Sequence, residues 1–151
     1  EVDAINLRAR QRIIELVRRD LSEDLVGKKV AILGAAFKPD SDDVRDSPAL
    51  DIAAQIQAAG AIVTVHDPKA IANAQKRFPA LKFAEDINNT LKDADIVLHL
   101  TEWKIYRDIN PAQVKSLVKT AIMIDGRNAL DRDAWRAAGW KFRALGRSDN
   151  E

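Results

Sequence analysis

Residues 28–48, KKVAILGAAFKPDSDDVRDSP, set Phe37, Lys38 and Arg45 among four acids, between an apolar run and a helix start. Most strand-to-helix connections take a few residues; this one takes about a dozen. Lys38 is a compact cation on a flexible stem. It can reach a phosphate or a sugar carboxylate, or pair at the surface with Asp40, Asp42 or Asp43. Arg45 either holds the loop by local ion pairs with its acidic neighbours or reaches outward. Arg127 follows Gly126 directly after a second apolar run, and its planar fork suits bidentate contact with phosphate; the alternative is an arginine capping a sheet edge. Trp103 and Tyr106, beside Glu102, offer faces for a base or sugar, or pack against a neighbouring domain. These residue types point to binding of a nucleotide or phosphate.

Several other chemistries find no support. The segment after the first apolar run is Gly34-Ala-Ala-Phe-Lys, which is neither the glycine fingerprint of a dinucleotide cradle nor a Walker A loop. Asp67 stands where such folds place a ribose-binding acid, but without that fingerprint it reads better as a helix cap. His66 and His99 have no carboxylate or thiol at ligand spacing and read as structural or interface residues. No Ser-His-Asp set, paired glutamates or metal-ligand cluster stands out, so no catalytic residue is assigned within this chain. The absence of cysteine excludes disulfides, thiolate metal sites and cysteine nucleophiles from it.

Val2, Ile5, Ala9, Ile13, Leu16, Val17 and Leu21, at helical spacing, predict a helix over 2–21. The additional Leu7 and Ile14 broaden the stripe enough for part of it to meet another domain or subunit. Short apolar runs predict strands over 29–33, 61–65, 95–100, 121–124 and 140–145, with a short extended piece near 81–83. Helix starts are marked at Ser47-Pro48, Asp67-Pro68, Asp86, Asn110-Pro111 and Asp131. Strands alternating with helices predict a three-layer, Rossmann-like, doubly wound α/β fold: a parallel sheet of about five strands preceded by a long N-terminal helix. The expected strand order 3-2-1-4-5 sets residues 121–124 beside 29–33, so that Phe37-Lys38 and Gly126-Arg127 face one another across the switch point.

The 151 residues suit one core, and 46% hydrophobic with 31% charged residues is ordinary for a globular chain. A net charge of +1 argues against nucleic-acid or polybasic membrane partners. No membrane-spanning run or signal peptide is visible, and the cytoplasm is the default compartment. The chain opens inside what reads as a helix, so a piece of a longer protein is expected.

GAAFKPDSDDVRDSP closely resembles the G-x-A-F-K-P-x-T-D-D-x-R-x-S-P segment of nucleotide-sugar dehydrogenases in the UDP-glucose/GDP-mannose dehydrogenase family, especially its UDP-glucose-oxidising branch. GAIVTVHDPKA, LTEWKIYRDI and IDGRNAL continue the resemblance, which covers nearly the whole chain. Departures are small: Ala35 replaces the usual leucine, Asp40-Ser41 replaces Asn-Thr, and Ile105-Tyr106 replaces the more usual pair before Arg107. The resemblance implies a C-terminal nucleotide-sugar lobe over 27–151 and, over 1–26, the end of a central helix that forms a homodimer. It also implies a separate N-terminal lobe that holds most of the NAD. The activity implied is oxidation of UDP-glucose by two NAD to UDP-glucuronate, through a catalytic cysteine outside this chain. Alone, the chain is expected to be inactive. By resemblance, Phe37, Lys38 and Arg127 contact the nucleotide sugar, Arg45 reaches the NAD, and Thr101 to Trp103 lie near the uracil or the phosphates. Related activities on GDP-mannose or UDP-N-acetylhexosamines, or a non-catalytic nucleotide-binding module, are the alternatives.

Overall fold

The computed structural model describes residues 7–145; Val2 and Ile5 of the expected first helix, and the segment from Gly146, lie outside the described residues. Helix α1 (Leu7–Asp20) buries Ile13, Leu16 and Val17 completely. Each side chain so buried contributes about 2 kcal/mol. The chain then alternates β1 (Lys29–Leu33), α2 (Pro48–Ala58), β2 (Ile62–His66), α3 (Ile71–Arg77), β3 (Lys82–Phe83), α4 (Ile87–Leu91) and β4 (Ile96–His99). After β4 come α5 (Lys104–Arg107), α6 (Pro111–Lys115), β5 (Ile122–Asp125), α7 (Arg132–Ala137) and β6 (Lys141–Ala144). Among the described residues no helix is long and apolar enough to cross a membrane.

Local signals in the sequence set the helix starts. Ser47 accepts a hydrogen bond from the Leu50 amide with Pro48 at the first helical position, and Asp86, Asn110 and Asp131 cap α4, α6 and α7 in the same way. Asp67 departs from expectation. Its carboxylate accepts from the Lys69 and Ala70 amides and closes the turn before α3, while Ala70 takes the cap position without a side-chain bond.

The six strands of the described residues are all parallel, in the order β3-β2-β1-β4-β5-β6. Two expectations are corrected here. The short piece at 82–83 is a sixth strand, in register with Thr64 and Val65 of β2. The neighbour of β1 is β4, not residues 121–124. Because β3 occupies the flank beyond β2, the chain crosses to the free flank of β1 when it reaches Ile96. All four β4 residues are buried, as a strand covered by helices on both faces requires. The switch point therefore lies between β1 and β4, and the loop after β1 meets the loop after β4, with the loop after β5 one strand farther out.

α1 is welded to this sheet by charge as well as by apolar contact. Arg10 binds Asp51 of α2 at 2.9 Å, and Arg143 of β6 grips Asp20 through Nε and Nη2 at 3.0 Å, with Lys141 also at 3.0 Å. The Asp20 side chain is fully shielded. Burial raises its carboxyl, but hydrogen bonds from Arg143 and Lys141 more than offset this and hold it below the usual carboxylate range. Asp20→Asn leaves a buried arginine without its anion and is expected to destabilise the fold by about 3 kcal/mol, read as a lowered urea midpoint with unchanged slope.

Candidate functional site

The carboxyl edge of the sheet, where open α/β folds bind their ligands, carries three loops. The first follows β1. Gly34 adopts φ +114°, and a Cβ there would stand 2.5 Å from the Thr101 side chain, so only glycine lets the β1 and β4 loops approach this closely. The Ala35 and Ala36 amides both donate to Asp67 Oδ2, at 2.8 and 3.0 Å. Their carbonyls accept from Ser47 Oγ at 2.7 Å and Thr101 Oγ1 at 2.9 Å. Trp103 Nε1 donates to the same Asp67 oxygen at 3.0 Å. In dinucleotide-binding members of such folds these backbone amides face a pyrophosphate. Here an internal carboxylate takes them, and the helix beyond starts with a proline. The cradle is closed by the chain itself.

Beyond Ala36 the loop turns outward. The Phe37 amide donates to the Asp43 carbonyl, Asn73 of α3 holds the Asp42 carbonyl, and Val44 is anchored in the core. Asp40 and Asp46 adopt left-handed φ values of 62° and 54°, a conformation that short polar side chains tolerate. Phe37 and Lys38 are left exposed, and Lys38 makes no hydrogen bond or ion pair among the described residues. Arg45 folds back: its backbone amide, Nε and Nη2 all reach the Asp43 carboxylate. Those bonds hold the Asp43 carboxyl down to about 2, so it is ionised at any working pH. Most of the Arg45 side chain still faces solvent, beside an open cavity of about 530 Å³ lined also by Asn73, Lys76 and Arg77.

The third loop is built around Asp125. Its Oδ1 accepts from His99 Nδ1 at 2.8 Å and the Arg127 amide at 3.0 Å, and its Oδ2 accepts from the Ala129 and Leu130 amides. Burial raises this carboxyl, yet the bond from His99 and those from the backbone hold it below the usual range. α1 presses on the same turn, with Ile13 3.0 Å from where a Cβ on Gly126 would lie. The Arg127 side chain reaches Glu102, with Nε to Oε1 at 2.8 Å and Nη2 to Oε2 at 3.2 Å.

The edge thus differs from the sequence expectation. Phe37-Lys38 and Arg127 do not face each other directly; Thr101-Glu102-Trp103 lies between, bonded to Ala36 on one side and to Arg127 on the other. Trp103 and Tyr106 are buried and offer no face for stacking. The Tyr106 hydroxyl donates to the His66 carbonyl and lies 2.7 Å from His66 Nδ1, and its ring meets those of His66 and His99 edge-on. His99 does have a carboxylate partner, 26 positions away, because β4 and β5 are neighbours. An acid ending a strand just before Gly-Arg is the signal that could have revealed Asp125, since such side chains close turns onto amides two residues on.

Comparison with known proteins gives the same family as the loops. Residues 31–132 match the family model described as "UDP-glucose/GDP-mannose dehydrogenase family, UDP binding domain". The chain is 38% identical over 126 residues to a UDP-glucose 6-dehydrogenase of Rhizobium meliloti, covering 83% of this chain and 29% of that one. Among solved structures, an NDP-N-acetyl-D-galactosaminuronic acid dehydrogenase from Methanosarcina mazei aligns with TM-score 0.77 and 28% identity, covering 91% of this chain and 28% of that one. A UDP-glucose dehydrogenase from Pyrobaculum islandicum aligns with TM-score 0.74 and 27% identity, covering 88% and 30%.

Two outcomes are expected. Asp67→Asn sets an amide against clustered N–H donors and should lower stability by about 3 kcal/mol, measured by urea unfolding. The second concerns pH. Burial lowers the His66 pKa despite the nearby Asp67 and Asp86. The unfolded chain therefore takes up that proton first, and stability falls as pH drops below about 6.5. Asp20 and Asp125, both depressed, withdraw their contributions only as pH falls below about 4. Urea midpoints from pH 8 to 3 should show both declines, and His66→Gln should remove the first.

Proposed function

We propose that this chain, which belongs to the UDP-glucose/GDP-mannose dehydrogenase family as its UDP binding domain, is the nucleotide-sugar lobe of an NAD-dependent UDP-glucose 6-dehydrogenase. The chain spans 29% of the Rhizobium relative, 28% of the Methanosarcina structure and 30% of the Pyrobaculum structure. The NAD-binding lobe and the catalytic cysteine belong, on this reading, to a longer protein that oxidises UDP-glucose to UDP-glucuronate. Residues 27–151 form the nucleotide-sugar lobe, and 1–26 end a central helix through which two copies pair.

The observation that carries the reading is the linked row of loops at the carboxyl edge. Ala36 is bonded to Thr101, Glu102 is bonded to Arg127, and Lys38, without a partner among the described residues, stands one residue beyond the exposed Phe37. Lys38 and Arg127 supply the charge for a diphosphate, and Phe37 an apolar surface beside it. The closed cradle at Ala35 and Ala36 supports assigning NAD to the other lobe, with Arg45 and the cavity beside it facing that cofactor. A UDP-N-acetylhexosamine is the second reading; the likeness to the Methanosarcina NDP-N-acetyl-D-galactosaminuronic acid dehydrogenase supports its N-acetylated sugar.

Calorimetric titration of the chain with UDP, GDP and NAD tests this reading. UDP is expected to bind, and GDP and NAD to bind at least tenfold more weakly. Lys38→Ala and Arg127→Ala should each weaken UDP by about tenfold or more, as expected for loss of a hydrogen bond to a charged group. No heat with UDP, equal affinity for NAD, or variants that bind like the parent would contradict the assignment.

A further inference from the structure

We propose that Glu102 is a positioning residue that grips the Arg127 guanidinium side-on and turns its outer edge toward the diphosphate of the nucleotide sugar. This rests on the reading of the carboxyl edge as a nucleotide-sugar site.

A guanidinium carries five N–H donors in one plane. Glu102 takes Nε and one hydrogen of Nη2, in a parallel pair at 2.8 and 3.2 Å. One hydrogen of Nη1 and the second of Nη2 lie parallel along the end of the fork, and the other Nη1 hydrogen points back toward Cδ, all without a partner among the described residues. That edge matches two phosphate oxygens. The pair is no loose surface contact, because the Arg127 and Glu102 side chains are only 11% and 27% exposed.

Both ends of the pair are fixed. On one side the Arg127 amide is held by Asp125. On the other, both chain neighbours of Glu102 are anchored: Thr101 donates to the Ala36 carbonyl and Trp103 donates to Asp67. Glu102 is thus presented from a rigid turn that also carries the loop of Phe37 and Lys38. Burial raises its carboxyl, but the bonds from Arg127 more than compensate, so it stays ionised at neutral pH. Without Glu102, Arg127 keeps its charge and its backbone position but loses the direction of its fork.

The test is a double-mutant cycle read by calorimetry with UDP and uridine, on the parent chain, Glu102→Gln, Arg127→Ala and the pair together. Glu102→Gln is expected to weaken UDP by about tenfold and leave uridine binding unchanged. The double variant should be no weaker than Arg127→Ala, and Glu102→Asp should recover part of the loss. Tighter UDP binding by Glu102→Gln would make Glu102 a competitor for the fork and overturn the proposal. Equal loss of UDP and uridine, or no change while Arg127→Ala still weakens UDP, would also overturn it and leave the site assignment standing. If Arg127→Ala binds UDP like the parent, the site assignment falls, and the proposal with it.

Discussion

The Asp67 carboxylate accepts five N–H donors from three segments: Ala35 and Ala36 after β1, Lys69 and Ala70 before α3, and the indole of Trp103 after β4. Asp67 is almost wholly buried. A buried carboxylate is tolerated only where its lone pairs are satisfied, and here they are satisfied by the loops whose positions define the carboxyl edge. Asp125 repeats the arrangement one layer over, on the turn that presents Arg127. Two shielded anions thus do locally what a glycine fingerprint and a bound phosphate do in a dinucleotide site. They fix the loops, and at Ala35 and Ala36 they use up the amides that would otherwise meet a ligand.

The same economy separates the two kinds of charge in the loop after β1. Its inner half is bonded at every amide and carbonyl of Ala35 and Ala36, and its outer half holds Arg45 on Asp43 but leaves Lys38 without a partner among the described residues. On the function proposed above, a ligand meets side chains at the rim, Phe37, Lys38 and Arg127, and the bonded backbone of the crevice is left to the chain itself. α1 supports this rim from below through Ile13 against Gly126, so the helix and the site turn share one packing contact.

The sequence carried the local features well. The cap residues at Ser47, Asp86, Asn110 and Asp131, the apolar runs and the doubly wound class are short-range signals, and they lie where expected. The position of β4 was not legible from its own residues, because it depends on whether Lys82 and Phe83, a two-residue strand, take the flank beside β2. From that single placement follow the contact of Thr101 with Gly34, the insertion of Glu102 between the Phe37 and Arg127 loops, and the His99–Asp125 pair. For Trp103 and Tyr106 the sequence leaves stacking on a ligand and packing against a domain both open, because aromatic residues in a loop look alike whether they point out or in; the structure buries them in this domain's own core. The partner that draws Trp103 inward is Asp67, 36 positions away. Long-range pairings of this kind leave no periodic trace.

An amide chemical-shift titration of the chain with UDP tests the rim site most directly. Shifts are expected to concentrate at Phe37, Lys38, Glu102, Arg127 and Asn128, with the Ala35 and Ala36 amides unmoved on Asp67. Shifts centred on Ala35, Ala36 and the first turn of α2 would contradict the rim site, since they would mean that phosphate enters the crevice and displaces the carboxylate around which the edge is built.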